Sequence, residues 1–293
     1  RRWCDSMLGE GVRQRFGAGW SRLRSAPRYH LQLRPAPLEN PAIILLLFLF
    51  LSLPLMMGSD YPVGRWMQQF PEELQPFAHV VTDLGEGVQV LVSSGALLLF
   101  GLFAPVALWR RRVAIGVSAL TAGAAFVFLS VAGGGLAALT LKYTIGRARP
   151  SLLDTHGNLH FQPFAMHSDF SAFPSGHSAT AGAMAVSLAL VFPRLRALFL
   201  AAGVLICASR QFVGMHWMSD TLMGWAVGAA FTFWMAHVFA RRGLMFTYDA
   251  FGRLTSRRSR FNPLAFTTRL ARSSGRSARS ADMTSAVGTT DQR

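Results

Sequence analysis

Six stretches of this chain run without a charged side chain: residues 40–59, 87–109, 113–141, 170–193, 197–209 and 221–240. A helix needs roughly 20 residues to cross the hydrocarbon core of a bilayer, and five of the six approach or exceed that length. The fifth in order, 197–209, crosses only if Arg196 snorkels at one end and the helix continues through Arg210 at the other. Reading it as a surface segment would leave five crossings and set its neighbours on inconsistent sides. The pattern predicts an all-α fold: a polytopic membrane protein with a six-transmembrane-helix bundle. Residues 60–86 are expected to form an outer-face loop with a short interfacial helix.

Composition agrees, since 51% of the 293 residues are hydrophobic and 15% charged, against about 25% charged in an ordinary soluble domain. The net charge of +15 comes from 29 basic and 14 acidic residues, and Lys142 is the single lysine among the 29. With six crossings, 24 of the 29 basic residues fall on one side: the first 40 residues, Arg110–Arg112, Arg194 with Arg196, and the tail from Arg241. Positive loops stay in the cytoplasm, so both Arg-rich tails are expected there and the other face is extracytoplasmic. This asymmetry accounts for the charge without a nucleic-acid partner; the tails suit anionic lipid headgroups of the bilayer. The expected division is a basic N-terminal tail (1–40) whose Arg13–Arg24 stretch could form an interfacial helix, a membrane domain (41–242), and a basic, disordered tail (243–293). No apolar signal region lies in the first 37 residues, so the first crossing is expected to remain as an anchor. Cys4 and Cys207 are far apart and provide neither a disulfide framework nor a Cys-based metal site.

Three polar blocks lie at the ends of these helices, on the side away from the Arg-rich tails. Lys142 is followed after six residues by Arg149 and Pro150, where the third crossing ends. Pro174-Ser175-Gly176-His177 opens the fourth, and the free amides of a helix start after Ser and Gly suit a phosphate. Ser209-Arg210, then His216, then Asp220 bridge the fifth and sixth. Singly, each has a bland reading as a cap or a basic juxtamembrane turn. Together, in order, they arise by chance on the order of once in ten million such chains.

In these residues the chain resembles the type 2 phosphatidic acid phosphatase superfamily, whose pattern is KxxxxxxRP, PSGH and SRxxxxxHxxxD. All three blocks match between residues 142 and 220, and the helix pattern extends the likeness to about 41–242. The resemblance implies a helical bundle with a phosphate pocket at the extracytoplasmic surface, acting on lipid phosphates without a metal or other cofactor.

Phosphate-ester chemistry asks for the same residues. Lys142, Arg149 and Arg210 can neutralise nonbridging oxygens, with Ser175 and Gly176 adding donors. His216 is the expected nucleophile because Asp220, four residues on, can hold its ring and favour the developing imidazolium. His177 is then the acid for the leaving alkoxide and the base for water. The family pattern assigns the same roles to these positions. Among other residues, His156, His160 and His167 are read as a solvated or headgroup-contacting loop rather than a metal site. Gly133–Gly135 are read as a close helix contact or a bend near the pocket, Cys207 as packing, His237 as packing or interfacial, and Trp66, Trp109 and Trp217 as an aromatic belt. Asp83 and Glu86 either bound the pocket or cap an exposed helix start.

The expected function is hydrolysis of a membrane lipid phosphate through a phosphohistidine. Candidate substrates are undecaprenyl diphosphate, phosphatidate or phosphatidylglycerol phosphate, and lipid A phosphates, in a bacterial inner membrane. A phosphotransferase would use the same pocket, as would a vanadate-dependent haloperoxidase, although the six apolar windows weigh against the latter. A non-catalytic binder or transporter would need the cations but not the two histidines.

Overall fold

The computed structural model describes residues 35–104 and 110–256. Contacts divide the chain into two units, Arg1–Leu254 and Thr255–Arg293, and the helices belong to the first. The Arg-rich segments 1–34 and 257–293, with the expected interfacial helix and tail, lie outside the described residues, as does Trp109.

Helix α1 (Pro41–Pro54) begins where the Asn40 carboxamide accepts from the Ala42 amide at 3.0 Å, with proline at the first helical position. Leu45 and Phe48 pack against the core, the Phe48 ring stacked 5.9 Å from that of Trp225, while the other face points outward, with Phe50 74% exposed. Pro54 has no N–H to give, and the next turn, Leu55–Ser59, is widened before α2 (Asp60–Met67) resumes. Helix α3 (Gln75–Asp83) is joined to α4 (Val88–Phe103) by a tight turn ending at Gly87. Residues 60–86 are therefore largely helical, continuing the flanking membrane helices rather than looping out. Pro62 and Pro76 fall in the first turns of α2 and α3, where proline is compatible with a helix.

The longest helix, α5 (Arg111–Ile145), stops at Gly146, which takes φ +67° and donates its amide to the Lys142 carbonyl. A side chain at Gly146 would also collide with the Gln162 carbonyl. Helix α6 (Gly176–Val191) is the centre of the bundle and packs against α5, α7 (Arg196–Phe212) and α8 (Met218–Arg241). Its buried Ala179, Ala181, Ala183 and Ala185 let neighbouring backbones approach. On α8, a Cβ at Gly228 would overlap the Ala179 carbonyl and the Ala183 amide of α6. Gly134 on α5 faces the same point, so one of the three expected glycines sits at a triple helix contact.

Helices occupy all six apolar windows, but among the described residues five helical runs are long and apolar enough to cross a membrane: Pro41–Met67, Gln75–Phe103, Arg112–Ile145, Pro193–Phe212 and Met218–Arg241. The short one is α6 rather than α7. Its 16 residues span about 24 Å, because the first part of its window is an extended approach to Ser175. Helix α7 does continue through Arg210. Trp217 departs from the aromatic-belt expectation: it is fully buried and its indole N–H donates to the Ala148 carbonyl at 2.8 Å, whereas Trp66 is 53% exposed.

At the far end of α8 the His237 ring donates from Nε2 to the Glu39 carbonyl and accepts the Tyr248 hydroxyl at Nδ1, both at 2.9 Å. Tyr248 belongs to a strand, Phe246–Tyr248, whose Phe246 ring packs 4.8 Å from that of Phe126. Packing at the α6/α8 contact sets a direct expectation. Gly228→Ala should cost about 1–3 kcal/mol, read as a lower melting temperature in detergent. Gly116→Ala, where nothing lies within 4 Å, should be neutral or stabilising by up to about 1 kcal/mol.

Candidate active site

Beyond Gly146 the chain is extended and pinned on both sides. Ala148 N donates to His160 O at 2.9 Å, Arg149 N to Asp169 O at 2.8 Å, and Ala172 N to Arg147 O at 3.0 Å. Residues two apart on an extended segment share a face, so Arg147 and Arg149 turn the same way, toward α8. The loop then runs through Ala172 into Ser175, which caps α6 by accepting from the Ser178 amide. Ser175 is fully buried, and its own amide donates to the Asp220 carbonyl at 3.0 Å. That amide is consequently committed, while the Gly176 and His177 amides have no acceptor among the described residues, as the first turn of a helix requires. Of the donors expected at this helix start, Ser175 thus contributes through the cap and Gly176 through its free N–H.

The cations converge on the same helix start. The Lys142 ammonium lies 3.7 Å from where a Cβ of Gly176 would stand. Lys142 is close enough to Arg149 and Arg210 for mutual repulsion, and all three act on His177. Among the described residues none of the three has a carboxylate at ion-pair distance, and Nε of both Arg149 and Arg210 is buried without a partner. Arg210 is held by a hydrogen bond to Thr82 Oγ1 at 3.1 Å and Arg149 by one to Ser171 Oγ at 3.2 Å. Burial pushes the Arg149 guanidinium below its ordinary value, partly offset by Asp169 and Asp220. Buried polar groups without partners, all of one sign, mark a place for an anion with several acceptor oxygens.

His216 is 1% exposed. Its Nδ1 is 2.9 Å from the Ala172 carbonyl, which can only accept, so Nδ1 carries the hydrogen and Nε2 keeps its lone pair. Asp220 Oδ2 stands 3.7 Å from the same nitrogen, too far for a hydrogen bond but close enough to favour positive charge on the ring. Burial pushes His216 down to about 4 against that pull, leaving the ring neutral at neutral pH. A neutral imidazole with a bare Nε2 can act as nucleophile or base.

Asp220 is held elsewhere than expected. Its Oδ2 accepts the Trp217 amide at 2.9 Å, and its Oδ1 accepts Arg147 NH1 at 2.6 Å. Arg147 also donates from NH2 to Asp60 Oδ2 at 2.8 Å and twice to the Asn158 carbonyl. Asp60, Arg147, Ser219 and Asp220 are all without solvent exposure. The sequence motifs give no role to Asp60 or Arg147. A usable signal was present: an acid directly after a 20-residue apolar window is costly in a membrane protein unless paired.

A cleft of about 460 Å³ reaches this centre, lined among others by Glu86, Val88, Leu136, Leu139, Lys142 and His177. Arg149, Arg210 and His216 do not line it, so an anion entering there meets Lys142 and His177 first. Glu86 bounds the cleft, and both it and Asp83 act on Arg210. The His156 and His160 rings stand 4.6 Å apart against Phe170, and no group of three metal-ligating side chains occurs among the described residues. Cys207 is buried with its thiol 3.9 Å from the Ser178 carbonyl, in a packing position.

Fold and site together define a membrane-type helical bundle that gathers three cations and two imidazoles at one helix start. The family model of the PAP2 superfamily matches residues 123–244. A lipid A 1-phosphatase of Rhizobium johnstonii is 36% identical over 191 residues, covering 65% of this chain and 78% of that protein. An undecaprenyl-diphosphatase of Sulfolobus acidocaldarius is 28% identical over 194 residues, covering 65% and 87%. The crystal structure of the first transmembrane PAP2 type phosphatidylglycerolphosphate phosphatase from Bacillus subtilis aligns with a TM-score of 0.47 and 22% identity, covering 68% of this chain and 94% of that one. The chain belongs to the PAP2 superfamily, and its long apolar helices make it an integral membrane protein.

The neutral His216 predicts how stability depends on pH. Its folded value of about 4 lies below the ordinary 6.5. Between those limits the unfolded chain binds a proton that the folded protein refuses. Stability is therefore full above pH 6.5 and falls as pH drops toward about 4, by up to about 3 kcal/mol. Thermal unfolding followed across that window should show the fall, and His216→Asn should reduce it.

Proposed function

We propose that this protein is a metal-independent lipid phosphatase that works through a phosphohistidine on His216. The observation that carries the reading is the neutral His216 ring, with Nδ1 committed to Ala172 and Nε2 bare, beside three cations without an ion-pair partner among the described residues. In the first step the Nε2 lone pair attacks phosphorus and the bond from phosphorus to the lipid oxygen breaks. The leaving oxygen takes a proton from His177, whose ring has received it from the phosphate monoanion on binding. Positive charge then builds on the His216 ring, where Asp220 stabilises it, while Lys142, Arg149, Arg210 and the Gly176 amide hold the nonbridging oxygens. In the second step His177 takes a proton from water, the water oxygen attacks phosphorus, and the N–P bond breaks with its electron pair returning to Nε2. Inorganic phosphate leaves and both histidines regain their starting states. Capture by another acceptor in place of water would make the same site a phosphotransferase.

The substrate reading follows the cleft. Its wall of Val88, Leu136 and Leu139 is exposed on the outside of the helices, as a path for hydrocarbon requires, while Lys142 and His177 line the polar part. An amphiphile can keep its chains in lipid and bring its phosphate in between α4 and α5. Among the envelope lipids, the rhizobial relatives favour the 1-phosphate of lipid A over undecaprenyl diphosphate and phosphatidylglycerol phosphate. The Arg asymmetry assigns both termini to the cytoplasm and the pocket to the extracytoplasmic face of a bacterial inner membrane.

Two experiments test this. Rapid quenching with phosphate-labelled lipid should trap an acid-labile phosphoprotein that His216→Ala cannot form and Asp220→Asn forms more slowly, with steady turnover of His216→Ala down by at least about 10³-fold and wild-type turnover unchanged by chelator. Label on Ser175 or Ser209, or a strict divalent-ion requirement, would refute the mechanism. For sidedness, an impermeant thiol reagent should label His167→Cys from outside intact cells and Arg112→Cys only after permeabilisation; the reverse pattern would invert the orientation.

A further inference from the structure

Asp60 lies outside the stretch matched by the superfamily model, on the helix that follows the first apolar window. An ionisable side chain inside a membrane helix is expensive unless it is paired and used. Asp60 has no solvent exposure, and its side-chain hydrogen bonds go to Ser219 and Arg147, the latter bonded to Asp220 beside His216. Its Oδ1 accepts the Ser219 amide at 3.1 Å, and its Oδ2 accepts the Ser219 hydroxyl at 2.5 Å and Arg147 NH2 at 2.8 Å. The other arm of Arg147 donates to Asp220 Oδ1 at 2.6 Å and to Ser219 Oγ at 2.7 Å. The donors and acceptors balance: the Ser219 hydroxyl gives its hydrogen to Asp60 and receives one from Arg147.

We infer that Asp60 is a positioning residue for phosphoryl transfer, acting through Arg147 and Asp220 to hold a net negative charge beside His216; the inference rests on the reading of His216 as nucleophile. Two carboxylates share one guanidinium, so the buried group carries one negative charge in excess. The fork of Arg147 is planar and rigid, which fixes where Asp220 stands once Asp60 has claimed the other edge. Without the Asp60 charge, Arg147 would neutralise Asp220 alone, and the ring that becomes cationic on attack would face a neutral network. Phosphate itself is held by Lys142, Arg149 and Arg210, which Asp60 does not touch. The consequence is a division between steps: loss of Asp60 slows attack and leaves anion binding nearly as it was.

A role confined to tying α2 to α8 would lower stability without that division, and a mutant cycle separates the two. Phosphate release by the wild-type protein and its loss in His216→Ala are established first, so a failure of the phosphatase reading is seen there. Asp60→Asn should then lower kcat by about tenfold to a hundredfold. KM for the lipid phosphate and inhibition by orthovanadate should move by less than about threefold. In an Asp220→Asn background, where the pathway is already cut, Asp60→Asn should cost less than about a further threefold in single-turnover rate. If Asp60→Asn does not accumulate as folded protein, Ser219→Ala is carried through the same cycle. That variant keeps both charges and frees one edge of Asp60, and a smaller loss that also disappears in Asp220→Asn is expected. Unchanged kcat in folded Asp60→Asn would overturn the inference. So would parallel losses in vanadate binding and kcat, or a loss that multiplies in full with Asp220→Asn.

Discussion

A guanidinium with none of its surface in water must find acceptors for every donor, and in a membrane bundle it must also find negative charge. Arg147 finds both between Asp60, Asp220 and the Asn158 carbonyl. Breaking such a buried pair by removing one member typically costs about 3–5 kcal/mol, because the remaining charge is stranded. The surrounding chain is arranged so that this does not happen. Helix α5 ends at Gly146, the extended segment turns Arg147 inward, the loop folds back to present Asn158, and α2 and α8 each bring one carboxylate. The site's geometry is inherited from this satisfaction of one side chain.

Beside that network, which has more negative than positive charge, lies a second group with the opposite imbalance: Lys142, Arg149 and Arg210, without ion-pair partners among the described residues. At separations of a few ångströms in a poorly solvated interior, such imbalances interact strongly. His216 stands between them, hydrogen-bonded to a neutral carbonyl and near the edge of Asp220. A ring in that position can be neutral at rest and cationic during reaction, since an incoming phosphate cancels the cations on one side while the carboxylate excess stabilises the ring on the other. The two imbalances are complementary only when the anion is present.

The motif residues were readable in the sequence because each chemical requirement is local: a cation in the last turn of one helix, a cap at the start of another, a histidine four residues before an aspartate. Their convergence followed from counting helix ends. That Asp60 needs a partner is signalled by its place after an apolar window, but the partner is not legible: Arg147 lies 87 positions away, and three prolines between 60 and 86 give the look of a loop although they begin helical turns or join them. Trp217 was placed in the aromatic belt on its position near a helix end, yet it fills the space beside Gly64 and stacks on Arg147 at 5.4 Å. The nearer partner of His216 is not legible for a related reason. Helical spacing brings Asp220 to the ring, but the extended Ala172 carbonyl, set by loop pairing that has no sequence period, lies nearer. Length was misjudged for α6 because an uncharged window includes the extended residues before the cap.

The central claim is that the protein holds His216 as a neutral ring protonated on Nδ1. Nitrogen NMR of histidine-labelled protein in detergent, with His216 assigned by its disappearance in His216→Gln, reports each ring nitrogen separately. The account predicts a protonated Nδ1 and a bare Nε2 at neutral pH, with conversion to the cation only near pH 4. A hydrogen on Nε2, or a doubly protonated ring at neutral pH in the absence of phosphate, would contradict it.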